Sequence, residues 1–208
     1  GKPVTGIDFR HPEDFDDIAT KAMPSDVDLG RRRARAALLL EMALPGGACV
    51  YQGEELGLDE VQVPTDRIED PTWQRSGHVD RGRDGCRVPL PWTPDGPSLG
   101  FGSGEPHLPQ PTRFRDLAVS RQDADSRSPL NVYRRALRLR AQLQDGEDME
   151  WLDSPQGTVA LRRHDGWVCV ANLTSTPIDL PSGEVLLTSA DLVSGKLPEA
   201  TTVWLRPR

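Results

Sequence analysis

Cysteine is scarce: three in 208 residues, at Cys49, Cys86 and Cys169. So few thiols, so far apart, make neither a disulfide framework nor a metal cluster, and buried free thiols in a reducing cytoplasm are expected. Apolar residues are also few, 36% of the chain, and no run approaches the roughly 20 residues that span a bilayer. The opening Gly1–Gly6 has no apolar core of the kind a secretion signal carries, so cytoplasmic is the expected location. Positive charge is in deficit, with a net −7, which argues against a nucleic-acid or anionic-membrane partner. What the chain does have is 19 glycines and 19 prolines, a composition that implies much irregular loop around limited cores. Its length suits one large domain or two small ones.

The stretch from Leu44 to Leu58 organises the rest. Asp28 to Ala43 has the periodicity of a helix, with Asp28 as its N-cap and Leu29, Ala36, Leu40 and Ala43 roughly on one face. The run Arg31-Arg32-Arg33 points in different directions and reads as a solvated face. Pro45-Gly46 then turns the chain into an expected short buried strand, Ala48 to Tyr51. A helix feeding a strand within a few residues is an αβ step of a parallel fold, and the loop after such a strand collects ligands. Gln52 to Gly57 is therefore expected at the mouth of a site.

Residues 59–122 lack helical or strand period, and a loop of that length is usually functional when ordered. Its alternating Arg and Asp, with Trp73 and Trp92 nearby, suit a sugar, whose hydroxyls want charged partners and whose C–H face lies on an aromatic. Order returns at Ser128-Pro129, a cap and first position for a helix to about Leu143. The period then becomes alternating: Thr158–Arg162, Trp167–Asn172, Glu184–Leu187 and Thr201–Leu205 are four strand candidates. His164-Asp165-Gly166-Trp167 is a hairpin signal, and residues from about 148 read as a small antiparallel β-sandwich. Asn172-Leu173-Thr174 matches a glycosylation acceptor but carries no weight without a secretion signal.

Taken together, Tyr51–Gly57, Gly82–Trp92, Leu108-Pro109-Gln110-Pro111 and Tyr133–Leu137 resemble one family. It is the α-glucosidase and oligo-1,6-glucosidase branch of the α-amylase family of glycoside hydrolases, and the resemblance runs from about residue 24 to the end. It implies an α/β region followed by an all-β one: 24–147 as the C-terminal part of a (β/α)8 barrel, 148–208 as the β-sandwich behind it, and 1–23 unmatched and loosely ordered. Members of this branch are retaining enzymes using an Asp nucleophile, a Glu general acid and a supporting Asp. In the family those carboxylates lie on earlier barrel strands, the last in an Asn-His-Asp motif that this sequence lacks; His11 stands between Arg10 and Pro12. One αβ step and one helix cannot close an eight-stranded barrel. The chain is therefore expected to be a C-terminal piece of a larger enzyme, with no catalytic residue of its own and no hydrolysis alone. Its expected partners are the missing N-terminal half of the barrel and a small α-glucoside, with no metal, cofactor, nucleic acid or membrane. A non-catalytic carbohydrate-binding or assembly module is the alternative, and a transglycosylase or isomerase shares the same late motifs.

Within this frame Arg87 is the expected substrate contact, paired in the family with an Asp from an earlier loop. Arg83 and Asp84 are further substrate-binding candidates, though they are expected rather to brace one another and the loop, and Trp92 is a candidate to line a subsite. Tyr51, Glu54 and Glu55 form a structural strand end, the two glutamates pointing to opposite sides and tied to basic groups. Trp73, like Trp92, could line a subsite, although aromatics more often pack a core or lid; His78 and His107 read as hydrogen-bonding or exposed, and Cys86 as inert.

Overall fold

The computed structural model describes residues 26–143 and 146–208; the expectation for residues 1–23 lies outside them. Helix α1 (Val27–Ala43) is capped by Asp26 rather than Asp28, the Asp26 Oδ1 accepting from the Leu29 N–H at 2.9 Å. Asp28 lies in the first turn, where its charge meets the positive end of the helix. The buried stripe is Ala36, Leu38, Leu39, Met42 and Ala43, while Leu29 and Leu40 stay half-buried. Pro45 forbids continuation, and the Leu44 N–H turns back to the Glu41 carbonyl at 3.0 Å.

Ala48 to Tyr51 does not form the expected buried strand. The segment is irregular, and Cys49, Val50 and Tyr51 are exposed. A strand exists only as a member of a ladder, and no described strand pairs with this segment. The loop that follows is ordered around its own small core: Val61, Val63, Val88, Leu99, Leu108 and Phe114, with Leu58 and Ile68 against them. Polar stitches hold it. Gln110 Nε2 donates to the Pro89 and Ser98 carbonyls at 2.9 Å each, and Arg113 grips both oxygens of Asp59. Short helices α2 (Pro71–Arg75) and α3 (Val119–Asp123) punctuate it.

Helix α4 (Pro129–Leu143) begins as expected, the Asn131 N–H reaching the Ser128 Oγ. Beyond it lie β1 (Met149–Trp151), β2 (Thr158–Arg163), β3 (Val168–Asn172), β4 (Ile178–Asp179), β5 (Gly183–Thr188), β6 (Lys196–Leu197) and β7 (Thr201–Pro207). The four long ones match the expected strands; β1, β4 and β6 are too short for alternation to reveal. A five-stranded antiparallel sheet runs β1-β2-β3-β7-β5, and β4 pairs with β6 in a separate ribbon. The β2–β3 hairpin turns at Asp165-Gly166, where Gly166 has φ 80°, and the Arg163 N–H meets the Trp167 carbonyl at 2.9 Å.

Period 2 gives the sheet two apolar faces. Leu161, Cys169 and Trp204 join Leu38, Leu39 and Met42 of α1 and Val132, Tyr133 and Ala136 of α4 in one core. Ala160, Val170, Val203 and Leu205 face the other way, onto Leu197, Ile178 and Leu180. The layer opposite the large sheet is thus a two-stranded ribbon with its loops, thinner than a full sandwich. The first core draws on residues from both sides of the expected 147/148 boundary.

Two buried arginines weld the parts together. The Arg140 guanidinium of α4 donates to the Met42, Leu44 and Gly46 carbonyls, and that of Arg163 in β2 to Ala43 at 3.3 Å and Gly146 at 2.9 Å. Met42 and Ala43 lie in the last turn of α1, where carbonyls have no intrahelical donor. Asn172 is fully buried, its side-chain amide donating to the Thr176 and Leu197 carbonyls, which removes it as a glycosylation acceptor. No described helix is long and apolar enough to cross a membrane.

Candidate functional site

Asp70 is the hub of the arginine-bearing loop. Preceding Pro71, it is placed to cap α2, and its Oδ1 accepts from the Thr72 N–H at 2.9 Å. Its Oδ2 accepts from the Arg83 N–H at 2.9 Å and from Arg87 Nη1 at 3.0 Å. The Thr72 and Arg83 amides, with the Arg87 charge behind them, hold its carboxyl well below the usual carboxylate range. Asp84 fixes the backbone of this hub, its Oδ2 accepting from the Glu69 and Asp70 N–H groups at 2.6 and 2.8 Å.

Of the expected bracing, the hold on the loop is seen and the Arg83–Asp84 contact is not. Asp84 braces the loop through backbone amides, and Arg83 contributes its N–H to Asp70 while its side chain stays exposed. Arg87 likewise finds its carboxylate within this chain, at Asp70. Sequence reasoning passed over Asp70, although Asp followed by Pro at a helix start was a readable capping signal.

Gly82 makes the hub possible. It sits at φ +68°, and a Cβ there would lie 2.3 Å from the Asp70 Cγ. Gly82→Ala is expected to destabilise by more than the about 1–2 kcal/mol of a left-handed alanine, because the methyl also evicts Asp70. Gly77→Ala, at φ +71° with nothing within 4 Å, supplies the backbone term alone. Thermal melting of the two variants measures the difference.

A second concavity, a cleft of about 240 Å3, lies between the Tyr51–Glu54 turn and Cys86, Val88 and Phe114. Glu54 Oε2 accepts from the Tyr51 N–H at 3.1 Å, and Glu55 Oε2 from the Gly53 N–H at 2.8 Å. Both glutamates thus cap their own turn rather than meet basic groups. Buried Gln122 ties that turn to α4, donating to the Leu56 carbonyl at 2.8 Å and accepting from the Leu130 N–H at 3.1 Å. Burial and the charges of Glu54, Glu55 and Glu41 push the Tyr133 hydroxyl upward, so it stays neutral.

Trp92 lines neither this cleft nor the Asp70 hub; it is half exposed, its backbone N–H donating to the Leu99 carbonyl at 2.8 Å. Trp73 meets His78 at a tilt of 41°, ring centroids 4.9 Å apart, with Arg81 over its face. The exposed His107 offers its carbonyl to Arg67. Burial and Glu60 raise the Cys86 thiol, which leaves it a poor nucleophile. Cys49 and Cys86 are exposed, so only Cys169 is the buried thiol expected of all three. Among the described residues no group of three or more His, Cys, Asp or Glu is placed to hold a metal ion.

Helices leading into an antiparallel sheet, with an arginine and aspartate loop between, are consistent with part of a barrel enzyme and its β region. The α-amylase catalytic-domain model matches residues 18–146, more than half of the chain, and the chain belongs to the α-amylase family of glycoside hydrolases. Its relatives place it with the α-glucosidase and oligo-1,6-glucosidase branch. A probable α-glucosidase of Rhizobium meliloti is 42% identical over 111 residues, covering 51% of this chain and 20% of the relative. An oligo-1,6-glucosidase of Parageobacillus thermoglucosidasius is 28% identical over 136 residues, 55% of this chain and 24% of the relative. The solved structure of an α-glucosyl transfer enzyme superposes with a TM-score of 0.69 at 34% identity, covering 86% of this chain and 36% of that one. The chain thus spans between a fifth and about a third of the length of these proteins.

Proposed function

We propose that this chain is the late-barrel and C-terminal β region of a retaining α-glucosidase that removes terminal α-linked glucose from short oligosaccharides, with Arg87 on the wall of the glucose pocket. Residues 24–147 are the barrel part in this reading and 148–208 the β domain packed on it. The observation that carries it is the posture of Arg87. One arm of its guanidinium is held by Asp70 at 3.0 Å, while 45% of the side chain remains exposed. A planar fork pinned at one end presents its remaining N–H groups in a fixed direction, which suits paired sugar hydroxyls.

The nucleophile and general acid are proposed to come from residues outside this chain. Asp70, Asp84, Glu54 and Glu55 are each engaged by backbone amides. Each of these carboxylates is tied to the backbone of its own loop, Asp70 through both oxygens, which supports a structural role for them. The purified chain is therefore expected to show no turnover of an aryl α-glucoside. Hydrolysis that disappears in Arg87→Ala would overturn this assignment.

Glucosyl transfer to a sugar hydroxyl is a second reading, supported by the 34% identical α-glucosyl transfer enzyme. The same arginine wall serves either acceptor. The alternative of a non-catalytic carbohydrate-binding or assembly module is separated by calorimetry: tight binding of maltose or isomaltose by the isolated chain would favour it.

A further inference from the structure

A cleft of about 530 Å3 opens between α1, α4 and β5, and Arg35, Arg127 and Arg135 line it together with Asp125, Thr188 and Asp191. Many arginines of this chain are neutralised in place: Arg87 by Asp70, Arg113 by Asp59, Arg134 by Asp123, Arg162 by Glu150. The three in the cleft have no carboxylate partner among the described residues. Arg35 Nε is closed off from solvent and meets no hydrogen-bond acceptor there. Burial and the neighbouring Arg32 and Arg31 charges push its pKa down, so positive charge is crowded on this side of α1.

Three arginines, from α1, from the turn before α4 and from α4 itself, line one concave surface, a residue set suited to a phosphate. The two carboxylates change what kind of phosphate. Asp125 spends one oxygen on the Arg127 N–H at 2.9 Å and keeps the other, and Asp191 is exposed. Thr188 donates its hydroxyl proton to the Ala190 carbonyl at 2.7 Å, leaving its oxygen as an acceptor. Carboxylates repel a bare anion and accept from hydroxyls, so the set favours a phosphate that carries hydroxyls over inorganic phosphate, and the unpaired arginine charge favours it over a neutral sugar. The cleft also falls within the roughly 300–1,000 Å3 of small-molecule sites.

We propose that this cleft binds a phosphorylated sugar-sized polyol, its phosphate on the arginines and its hydroxyls toward Asp125, Asp191 and Thr188. The assignment is independent of the role given to Arg87.

Isothermal titration of the intact chain with glucose 6-phosphate tests it. Saturable binding is expected, weakened about tenfold or more in Arg35→Gln and in Arg127→Gln by loss of a charge-assisted contact. Arg138→Gln, an exposed change on α4 outside the cleft, is expected to leave it unchanged. Glucose should not bind, and inorganic phosphate should bind at least about tenfold more weakly. Absence of glucose 6-phosphate binding overturns the proposal, as does equal affinity for inorganic phosphate or an equal loss in Arg138→Gln. Arg127 is exposed, so its variant carries the test even where Arg35→Gln perturbs folding.

Discussion

Trp204→Ala is expected to cost about 4–5 kcal/mol, the upper part of the range for emptying a core site of an aromatic ring. Trp204 is completely buried, its ring tilted 44° against Trp167 with centroids 5.0 Å apart, and its indole N–H donates to the Leu39 carbonyl at 2.9 Å. It is thus at once a ladder residue of β7 and a hydrogen-bonded contact of the sheet with α1. For a chain of this size the loss corresponds to roughly 10–15 °C in melting temperature. The two conservative variants separate the causes. Trp204→Phe keeps most of the ring but loses the hydrogen bond, whereas the Trp167 indole nitrogen has no partner and Trp167→Phe loses packing alone. Trp204→Phe is therefore expected to be the costlier, by about 1 kcal/mol. The double variant should expose a coupling of about 0.5–1.5 kcal/mol between the rings. Equal costs for the two phenylalanine variants would mean that the Leu39 bond contributes nothing.

Arg140→Met is expected to lower stability by about 3 kcal/mol, although it preserves most of the side-chain volume. The substitution removes the donor that Arg140 supplies to the Met42, Leu44 and Gly46 carbonyls near the negative end of α1. Arg163→Met affects only those of Ala43 and Gly146, the first at a long 3.3 Å, and should cost less, about 2 kcal/mol. The two guanidinium groups also repel each other, since burial and then the Arg163 charge lower the Arg140 pKa. Removing either relieves the other, so the double variant should cost less than the sum. Urea unfolding at constant m-value reads all three. Strict additivity would show that the two arginines act on separate ends of the structure.

What could be read in advance follows how local each signal was. Ser128-Pro129 and Asp165-Gly166 dictate their own backbone, so α4 and the β2–β3 hairpin fall where the residues alone put them. The motif around Arg87 was legible as a family resemblance. Its mechanics were not, because Asp70 and Asp84 act on residues 13 to 17 positions away through a loop with no period. Arg140 and Arg163 looked like ordinary surface arginines of a helix and a strand. Their burial depends on where α1 ends, 94 to 120 residues earlier.

By itself the amino-acid order determined the two long helices, the four long strands, their turns and the kinship to sugar-cleaving enzymes, since propensity, alternation and motif are all short-range properties. Only the folded chain decided the rest. Ala48 to Tyr51 has strand-forming residues but, among the described residues, no neighbour to complete a ladder, and Arg35 reaches the α1–α4–β5 cleft from about 90 residues before Arg127 and Arg135. Pairing and charge convergence belong to spatial neighbours, and those are chosen by packing.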